Sequence, residues 1–308
     1  MSDDSNDPVI VLVGPGRAGR AFARSWSAAG GRIVLAGRDA DATRKFAAEL
    51  SAPALDLAGD GRLEGDVLAL SVPDDSISRV ATLLSPRGRW RFALHFSGAL
   101  ASDVLAPLHS AGATLASLHP LRAFSGAPDE NWKDAFVAVE GEEPASQAAA
   151  AICRRVGARP RGIPASGKPL YHAAATLAAG GSAALLSFAA RAWANAGLDE
   201  EEGRVALAGL ASTAVDAVGR FPFEEAMTGP VARRDVATVR LHENALAPRP
   251  DLAALYALLA RETLARTLGR GGEAEIGAIV GSAEGTGPPD SAGTGKKSDS
   301  RRPGPLTR

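Results

Sequence analysis

The 308-residue chain is long enough for two domains, each with its own hydrophobic core. Apolar residues make up 45% of it and charged residues 22%, which is usual for a globular protein and excludes a wholly disordered one. The formal net charge of −1 excludes a strong basic field of the kind that binds nucleic acid or anionic membranes. The single cysteine, Cys153, excludes an internal disulfide and favours a reducing, cytoplasmic location.

The first predicted domain follows a polar, acidic segment, residues 1–7, that we expect to be disordered. Residues 8–164 alternate short apolar runs with helical stretches, which is typical of a Rossmann-type α/β domain with a mostly parallel, doubly wound sheet. The predicted strands are 9–13, 32–36, 67–72, 92–95, 114–118, 136–139 and 159–163. The predicted helices between them are 18–29, 41–50, 76–84, 102–110 and 144–156. Residues 120–134 have no periodicity and predict a long loop, a feature often tied to function.

The second predicted domain, residues 165–270, is all-helical, with helices at 169–195, 200–218, 235–245 and 252–267. Residues 169–190 carry no formal charge and are long enough to span a bilayer. They are mostly Ala and Gly, however, and membrane insertion favours Leu, Ile and Phe, so we expect a buried central helix. Residues 271–308 are rich in Gly, Ser, Pro and charged residues, and predict a disordered tail.

A glycine-rich motif follows the first predicted strand and begins the first helix. It consists of Gly14, Pro15, Gly16, Arg17, Ala18 and Gly19. In a G-x-G-x-x-G motif the first glycine allows a tight turn, the second lets the backbone approach a pyrophosphate, and the third lets the helix pack on the sheet. The amides at the helix start can then bind phosphate with help from the helix dipole. The context predicts a dinucleotide cofactor.

The end of the second strand indicates which dinucleotide is bound. An NAD site usually has an acidic residue there, whereas this chain has Gly37 followed by Arg38, whose planar cation suits a 2′-phosphate. Asp39 could instead serve as the ribose ligand if the strand ended one residue later, but it is more simply the N-cap of the next helix. We therefore predict NADP, with NAD as the alternative.

Two further strand ends are expected at the same edge of the sheet as the glycine-rich turn. One contains Ser71, Val72 and Pro73, and the other contains Ser97, two residues after His95. Open α/β sheets bind ligands at the carboxyl ends of their strands. These four residues, 71–73 and 97, are therefore predicted cofactor contacts.

Four short runs together resemble one known family, Rossmann-like NADP-dependent oxidoreductases with a helical C-terminal domain of formerly unknown function. The runs are residues 95–100, 117–124, 168–175, and 228–235 with Thr238 and His242. The resemblance covers residues 8–268 and extends more widely to 6-phosphogluconate dehydrogenase-like enzymes, including pyrroline-5-carboxylate, prephenate and ketopantoate enzymes. Some members are similar to an alternative type of ketopantoate reductase, and in related reductases the helical domain dimerises. The sequence departs from the family pattern at Arg234, where glycine is common, so the geometry of that turn is open.

Reduction of a carbonyl group by hydride requires a proton donor and a cation that holds the substrate carboxylate. Lys168 and His172 lie four residues apart at the start of a predicted helix, so they share one face. The helix dipole is expected to lower the pKa of a lysine at this end. The pair resembles the Lys/Asn pair of 6-phosphogluconate dehydrogenases. His119 follows a strand, and either a site role or a strand-capping role is open to it; for His95 the capping role is favoured. Arg233 is a candidate ligand for a substrate carboxylate, although Arg234 or simple solvation of this turn are alternatives. No spacing of His, Cys, Asp or Glu predicts a metal site.

These features predict an NADPH-dependent reductase of a small oxo acid or imine, with a ketopantoate-like compound as the first candidate. Lys168 is the predicted proton donor, His172 and His119 are orienting or relaying groups, and Arg233 is a carboxylate ligand. The alternative is a non-catalytic NADP(H)-binding protein whose helical domain contacts a partner, because fold alone does not decide function. We expect a cytoplasmic homodimer, formed through the helical domain.

Overall fold

The computed structural model describes residues 7–59 and 61–267, which form two compact units, residues 7–183 and residues 184–267. The first unit contains a sheet of eight strands in the order β3-β2-β1-β4-β5-β6-β7-β8. All neighbouring strands are parallel except β6 and β7. The strands are β1 (Ile10–Val13), β2 (Ile33–Gly37), β3 (Ala54–Asp56), β4 (Val67–Leu70), β5 (Phe92–His95), β6 (Thr114–Pro120), β7 (Phe136–Gly141) and β8 (Arg159–Gly162). The predicted mostly parallel Rossmann sheet is confirmed.

Alternating residues of the central strands pack into two separate hydrophobic cores, one on each face of the sheet. In β1, Ile10 and Leu12 belong to one core, and Val11 and Val13 belong to the other. Because successive side chains point to opposite faces of a strand, this central strand must be apolar at every position. The strand order reverses between β1 and β4, which creates the crevice where such sheets bind ligands.

Four α-helices cover the two faces of the sheet: α1 (Arg17–Ala28), α2 (Ala40–Glu49), α3 (Ile77–Leu84) and α4 (Ala145–Arg155). A fifth, α5 (Lys168–Thr176), continues through a π-helical segment (Leu177–Gly181) into α6 (Ser182–Asn195). The predicted helix at 102–110 is a 3-10 helix, Ser102–Ala111, since Pro107 inside it lacks the N–H that an α-helix needs. The short edge strand β3 was missed, because three residues give almost no periodicity.

The predicted long loop lies between β6 and β7, and its C-terminal part is anchored in the core. Trp132 is fully buried, its backbone N–H donates to Ser25, and its indole Nε1–H donates to the Ala18 carbonyl oxygen in the first turn of α1. Glu130 accepts hydrogen bonds from the backbone amides of Ser125 and Gly126, which closes the exposed part of the loop on itself. The loop is therefore tied to the helix that begins at the glycine-rich turn.

The second unit contains the rest of α6 and four more helices, α7 (Glu200–Val218), α8 (Phe223–Ala226), α9 (Val236–Leu246) and α10 (Pro250–Thr267). Asp235 caps α9, as predicted, by accepting a hydrogen bond from the Thr238 amide. The predicted domain boundary at 164/165 falls earlier than the division after residue 183, because α5 packs its first residue, Lys168, into the first unit. The predicted disorder of residues 1–6 and 271–308 lies outside the described residues, and Asp7 forms an ion pair with Arg155.

The helical stretch Ala165–Asn195 is the one in the described residues that is long and apolar enough to cross a membrane, judged by length and composition alone. Only 6% of its most apolar 18-residue window is buried. The structure leaves most of this stretch exposed, so the prediction of a buried central helix is wrong. Leu170 and Leu177 are largely exposed.

The turn before α9 contains a strained backbone position at Arg234, whose φ is +58°. This is the left-handed conformation that glycine adopts without steric cost, and the Arg234 side chain is exposed. We expect Arg234→Gly to raise the free energy of unfolding by about 1 kcal/mol, because it removes strain and no buried contact. Chemical denaturation would measure it. The neighbouring Arg233→Gly, at a position without positive φ, should give no gain, and an equal gain in both variants would contradict the explanation.

Candidate active site

The glycine-rich turn has the geometry of a phosphate-binding turn. Gly14 has a φ of +70°, and a Cβ atom there would lie 2.4 Å from Val72 Cγ1. A Cβ on Gly19 would lie 2.6 Å from Ser71 Oγ, so this glycine allows α1 to approach the turn after β4. Gly16 is the N-cap of α1 without any side-chain cap, and the first turn contains no acidic residue. The first amides of α1 therefore have no intrahelical acceptor, and the residues present fit a pyrophosphate.

The end of β2 fits a cofactor with a 2′-phosphate. Gly37 is buried, with no room for a side chain because a Cβ would lie 2.2 Å from Thr43 Oγ1. Arg38 is exposed at the edge. Asp39 is the N-cap of α2, and its carboxylate accepts a hydrogen bond from the Ala42 amide, as predicted. The Asp39 carboxylate thus has a role in helix capping, and Arg38 is the exposed cation beside it.

The two further strand ends differ in what they offer a nucleotide. Ser71 and Val72 lie directly against Gly14 and Gly19, as their predicted role requires. Ser97 is buried, and its hydroxyl donates to Asp74 and accepts hydrogen bonds from the amides of residues 99 and 100. The hydrogen-bonding capacity of the Ser97 hydroxyl is therefore used inside the protein, and its contact with the cofactor stays a prediction.

Three polar rings meet beside the carboxyl end of β5. His119, near the end of β6, shares a 2.8 Å hydrogen bond between its Nδ1 and the Tyr171 hydroxyl. The His119 and His172 rings contact edge to face, with centroids 5.4 Å apart. Both rings approach Gly98, where a Cβ atom would lie 2.3 Å from His172 Nδ1 and 2.8 Å from His119 Nε2. The buried Nδ1 of His172 has no hydrogen-bond partner among the described residues. His119 and His172 therefore lie together in the structure.

Lys168 lies beneath these rings and is fully buried. Its Nζ donates to Ser117 Oγ at 2.7 Å and to the Ser97 carbonyl oxygen at 3.1 Å. Ser117 Oγ in turn donates to Glu140, which also accepts hydrogen bonds from the amide and hydroxyl of Ser102. A fully enclosed ammonium cannot deliver a proton to a bound substrate directly. The prediction of Lys168 as the direct donor is therefore corrected, because its side chain points into the sheet edge.

The surroundings of these groups shift their pKa values. Burial, followed by the charges of His172 and Lys168, lowers the pKa of His119 to about 4. Burial lowers the pKa of Lys168 to about 8, against the opposing effects of Glu140 and Asp74. Burial raises the pKa of Tyr171 to about 12. At neutral pH the site therefore holds a neutral imidazole, a protonated phenol and a mostly protonated lysine.

A cleft of about 580 Å³ opens in front of the rings. His119, Tyr171 and His172 lie on its wall, together with Leu121, Arg122 and small residues of α5 and the π-helical segment: Ala174, Ala175, Ala178, Ala179 and Gly180. Arg122 is held at the cleft by hydrogen bonds from its Nη1 to the carbonyl oxygens of residues 131 and 133. A small molecule with an apolar body and one polar reacting end fits such a cleft.

The other candidates lie elsewhere. His95 is fully buried, accepts a hydrogen bond from the Ser97 amide, and contacts the Ala101 carbonyl oxygen, so its strand-capping role is confirmed. Burial lowers the pKa of His95 to about 4, which keeps it neutral. Arg233 is exposed in the second unit. Within the described part of the chain, no three His, Cys, Asp or Glu residues form a group that could hold a metal ion.

Tyr171, Arg122 and Glu140 are the site residues that sequence reasoning missed. Tyr171 lies three residues after Lys168, within the run that carries the family resemblance, and that spacing on a helix could have drawn attention to it. Arg122 lies within another such run. Glu140 gives no signal in the sequence, because its position opposite Ser117 depends on the antiparallel register of β6 and β7.

Two family models match the chain. Residues 9–90 match the model described as NADP oxidoreductase, coenzyme F420-dependent, and residues 135–263 match a domain of unknown function, DUF2520. A comparison with curated protein sequences gives no match. The family predicted from the four sequence runs is confirmed, and so are its NADP cofactor and its oxidoreductase class.

Solved structures share the fold. A Thermotoga maritima protein is 24% identical with a TM-score of 0.71, and the match covers 84% of this chain and 98% of the other. An imine reductase from Myxococcus stipitatus, in complex with NADP+, is 17% identical with a TM-score of 0.61, over 89% and 100% of the two chains. A 1-pyrroline-5-carboxylate reductase from Streptococcus pyogenes is 12% identical with a TM-score of 0.56, over 84% and 99%. At these identities the likeness extends to the fold alone.

Proposed function

We propose that this chain, which belongs to the NADP-dependent oxidoreductases with a DUF2520 domain, reduces a small carboxylated compound at a C=O or C=N bond. The observation that carries the proposal is the pairing of neutral His119 with Tyr171 on the wall of an otherwise mostly apolar cleft. NADPH supplies the hydride when it is bound. The chain's own residues then have to place the reacting carbon and provide one proton.

Tyr171 is the proposed proton donor, and His119 is its partner. A phenol with a pKa of about 12 remains protonated at neutral pH and can donate to a developing alkoxide or amine. With its single ring proton on Nδ1, neutral His119 donates to the Tyr171 oxygen and leaves the phenolic hydrogen free for the substrate. His172 completes the wall of the cleft and orients His119 through ring contact.

Arg122 is the proposed ligand of a substrate carboxylate, since it is the one cationic side chain on the wall of this cleft within the described residues. A ketopantoate-like oxo acid is our first candidate substrate, and cyclic imines with a carboxylate are the second. NADPH consumption should be screened against 2-oxo acids, cyclic imines and their decarboxylated analogues. If the protein consumes NADPH with none of these compounds, the proposal is overturned.

Arg122→Ala should raise KM for the carboxylated substrates and leave KM for their decarboxylated analogues unchanged. The same effect in Arg233→Ala, and not in Arg122→Ala, would assign the carboxylate to the helical unit.

The choice of NADPH over NADH depends on Arg38. We expect Arg38→Ala to weaken NADPH binding by roughly 1.5–3 kcal/mol, as for a charge-assisted contact, and to leave NADH affinity nearly unchanged. Isothermal titration calorimetry would measure both. Arg44→Ala, which removes an exposed cation from α2, is the matched control and should change neither affinity. Equal affinity of the wild type for the two nucleotides would contradict this account of the site.

We also propose a cytoplasmic homodimer formed through the helical unit. Most exposed large apolar side chains of the described residues belong to that unit, among them Leu198, Val205, Leu210, Val215, Leu241 and Leu258. An exposed apolar surface of this extent favours a second copy of the chain. Light scattering should give a dimer for the wild type and a monomer for Leu210→Glu. Leu83→Glu, at an exposed leucine of the first unit, should stay dimeric, and a monomeric wild type would contradict the proposal.

A further inference from the structure

The buried group around Lys168 connects two charges of opposite sign through one hydroxyl. Lys168 Nζ donates to Ser117 Oγ, and Ser117 Oγ donates to Glu140 Oε2 at 3.0 Å. Glu140 also accepts hydrogen bonds from the Ser102 amide at 2.8 Å and from the Ser102 hydroxyl at 2.9 Å. Lys168 and Ser117 are fully buried, and Glu140 is 8% exposed. None of the four residues lines the cleft.

An enclosed network of this kind is costly unless each charge is balanced. A buried carboxylate without a cation, or an ammonium without an anion, loses far more hydration than its hydrogen bonds return. The direction of the bonds is fixed by chemistry, because Nζ can only donate and the carboxylate can only accept. Ser117 therefore accepts from one partner and donates to the other. The sequence positions follow from the fold, since Ser117 and Glu140 are paired residues of β6 and β7.

We propose that Glu140 is a positioning residue which, through Ser117, keeps Lys168 charged and buried, so that the lysine charge acts on the His119–Tyr171 pair and not on the substrate. This role rests on the reaction proposed for that pair. Burial and His172 lower the pKa of His119 most, and the charged lysine adds to their effect, so that one ring nitrogen of His119 stays free of a proton. Other groups that face Lys168 are Asp74 after β4 and His95 in β5, while His172 lies four residues along its own helix.

The test uses the full-length protein and needs no substrate. The chain has five lysines and five histidines, so selective isotope labelling allows NMR titration of both residue types. In Glu140→Gln we expect the pKa of Lys168 to fall by about one unit from its wild-type value of about 8, because the anion that favours the ammonium is gone. The pKa of His119 should rise in Lys168→Met, which removes the positive charge, but not in Glu140→Gln, because Lys168 is still fully protonated near pH 4, where His119 titrates. Glu142→Gln, two residues further along the chain, should change neither value.

An unchanged pKa of Lys168 in Glu140→Gln, or an unchanged pKa of His119 in Lys168→Met, would overturn the proposal. If Glu140→Gln does not fold, Ser117→Ala provides the second test: the pKa of Lys168 should fall, and an unchanged value would contradict the role. With a substrate, the alkaline limb of the kcat profile should move to lower pH in Glu140→Gln, whereas a purely structural role would lower kcat equally at every pH. A protein that reduces no compound but shows the NMR shifts would refute the proposed function and leave the coupling of Glu140, Lys168 and His119 in place.

Discussion

His119→Gln should lower kcat by a factor of about 10² while the dissociation constant of NADPH stays the same. Glutamine can form a hydrogen bond to the Tyr171 hydroxyl. Unlike an imidazole, it cannot take up a proton at one nitrogen and release a proton from another. The phosphate contacts that we propose, at the glycine-rich turn and at Arg38, include neither His119 nor Tyr171. Steady-state kinetics with a substrate from the screen, combined with NADPH titration, would measure both quantities.

His109→Gln is the control for this variant, because His109 is a partly exposed histidine paired with Glu142 at the end of the 3-10 helix. It should leave kcat unchanged. Tyr171→Phe should reduce kcat at least as much as His119→Gln, since it removes the hydroxyl that we propose as the proton donor. A large loss in His119→Gln with none in Tyr171→Phe would reverse the two roles and make His119 the donor.

Gly14→Ala should lower the free energy of unfolding by about 2–5 kcal/mol and weaken NADPH binding by more than tenfold. About 1–2 kcal/mol of this comes from placing an L side chain at a φ of +70°. A further 1–3 kcal/mol, roughly, comes from the clash with Val72 Cγ1, which lies 2.4 Å from the added Cβ. Relief of that clash must move the turn, and the turn carries the phosphate-binding amides.

Gly30→Ala separates the two contributions. Gly30 follows the C-terminal end of α1, the end opposite the glycine-rich turn, and has a similar φ of +74°. The nearest atom to a Cβ added there is 3.9 Å away. We expect only the loss from backbone strain and an unchanged NADPH affinity. If Gly14→Ala is no more destabilising than Gly30→Ala, the tight approach of Val72 to the turn is not a constraint in solution.

The fold could be predicted from the sequence wherever one local rule decided the outcome. The apolar runs of β1 and β4 reveal strands buried on both faces, and the glycines at 14, 16 and 19 mark the turn between β1 and α1. The helix through residues 102–111 became a 3-10 helix because Pro107 overrides its apolar period. The exposure of the stretch Ala165–Asn195 could not be predicted, since it depends on what packs around the helix and not on its composition.

The candidate site could be predicted only in part. His119 was found because it follows a predicted strand, and His172 because it lies four residues after Lys168 on a predicted helix. The role of Lys168 was misjudged because helical spacing shows which side of the helix a residue lies on but not how deeply it is buried. In the structure the Lys168 side chain is buried and donates to Ser117 and Ser97. The role of Glu140 could not be predicted, because it depends on the register of β6 and β7, which places Glu140 opposite Ser117.

Deuterium transfer from the nicotinamide tests the central claim most directly. The protein would be incubated with NADPH carrying deuterium at the transferred position and with a carboxylated oxo acid or cyclic imine that supports NADPH consumption. Mass spectrometry should find one deuterium on the former C=O or C=N carbon of the product, formed rapidly by the wild type and about 10²-fold more slowly by Tyr171→Phe. A reduced product without deuterium, or equal rates in the two proteins, would contradict a direct hydride transfer assisted by the His119–Tyr171 pair.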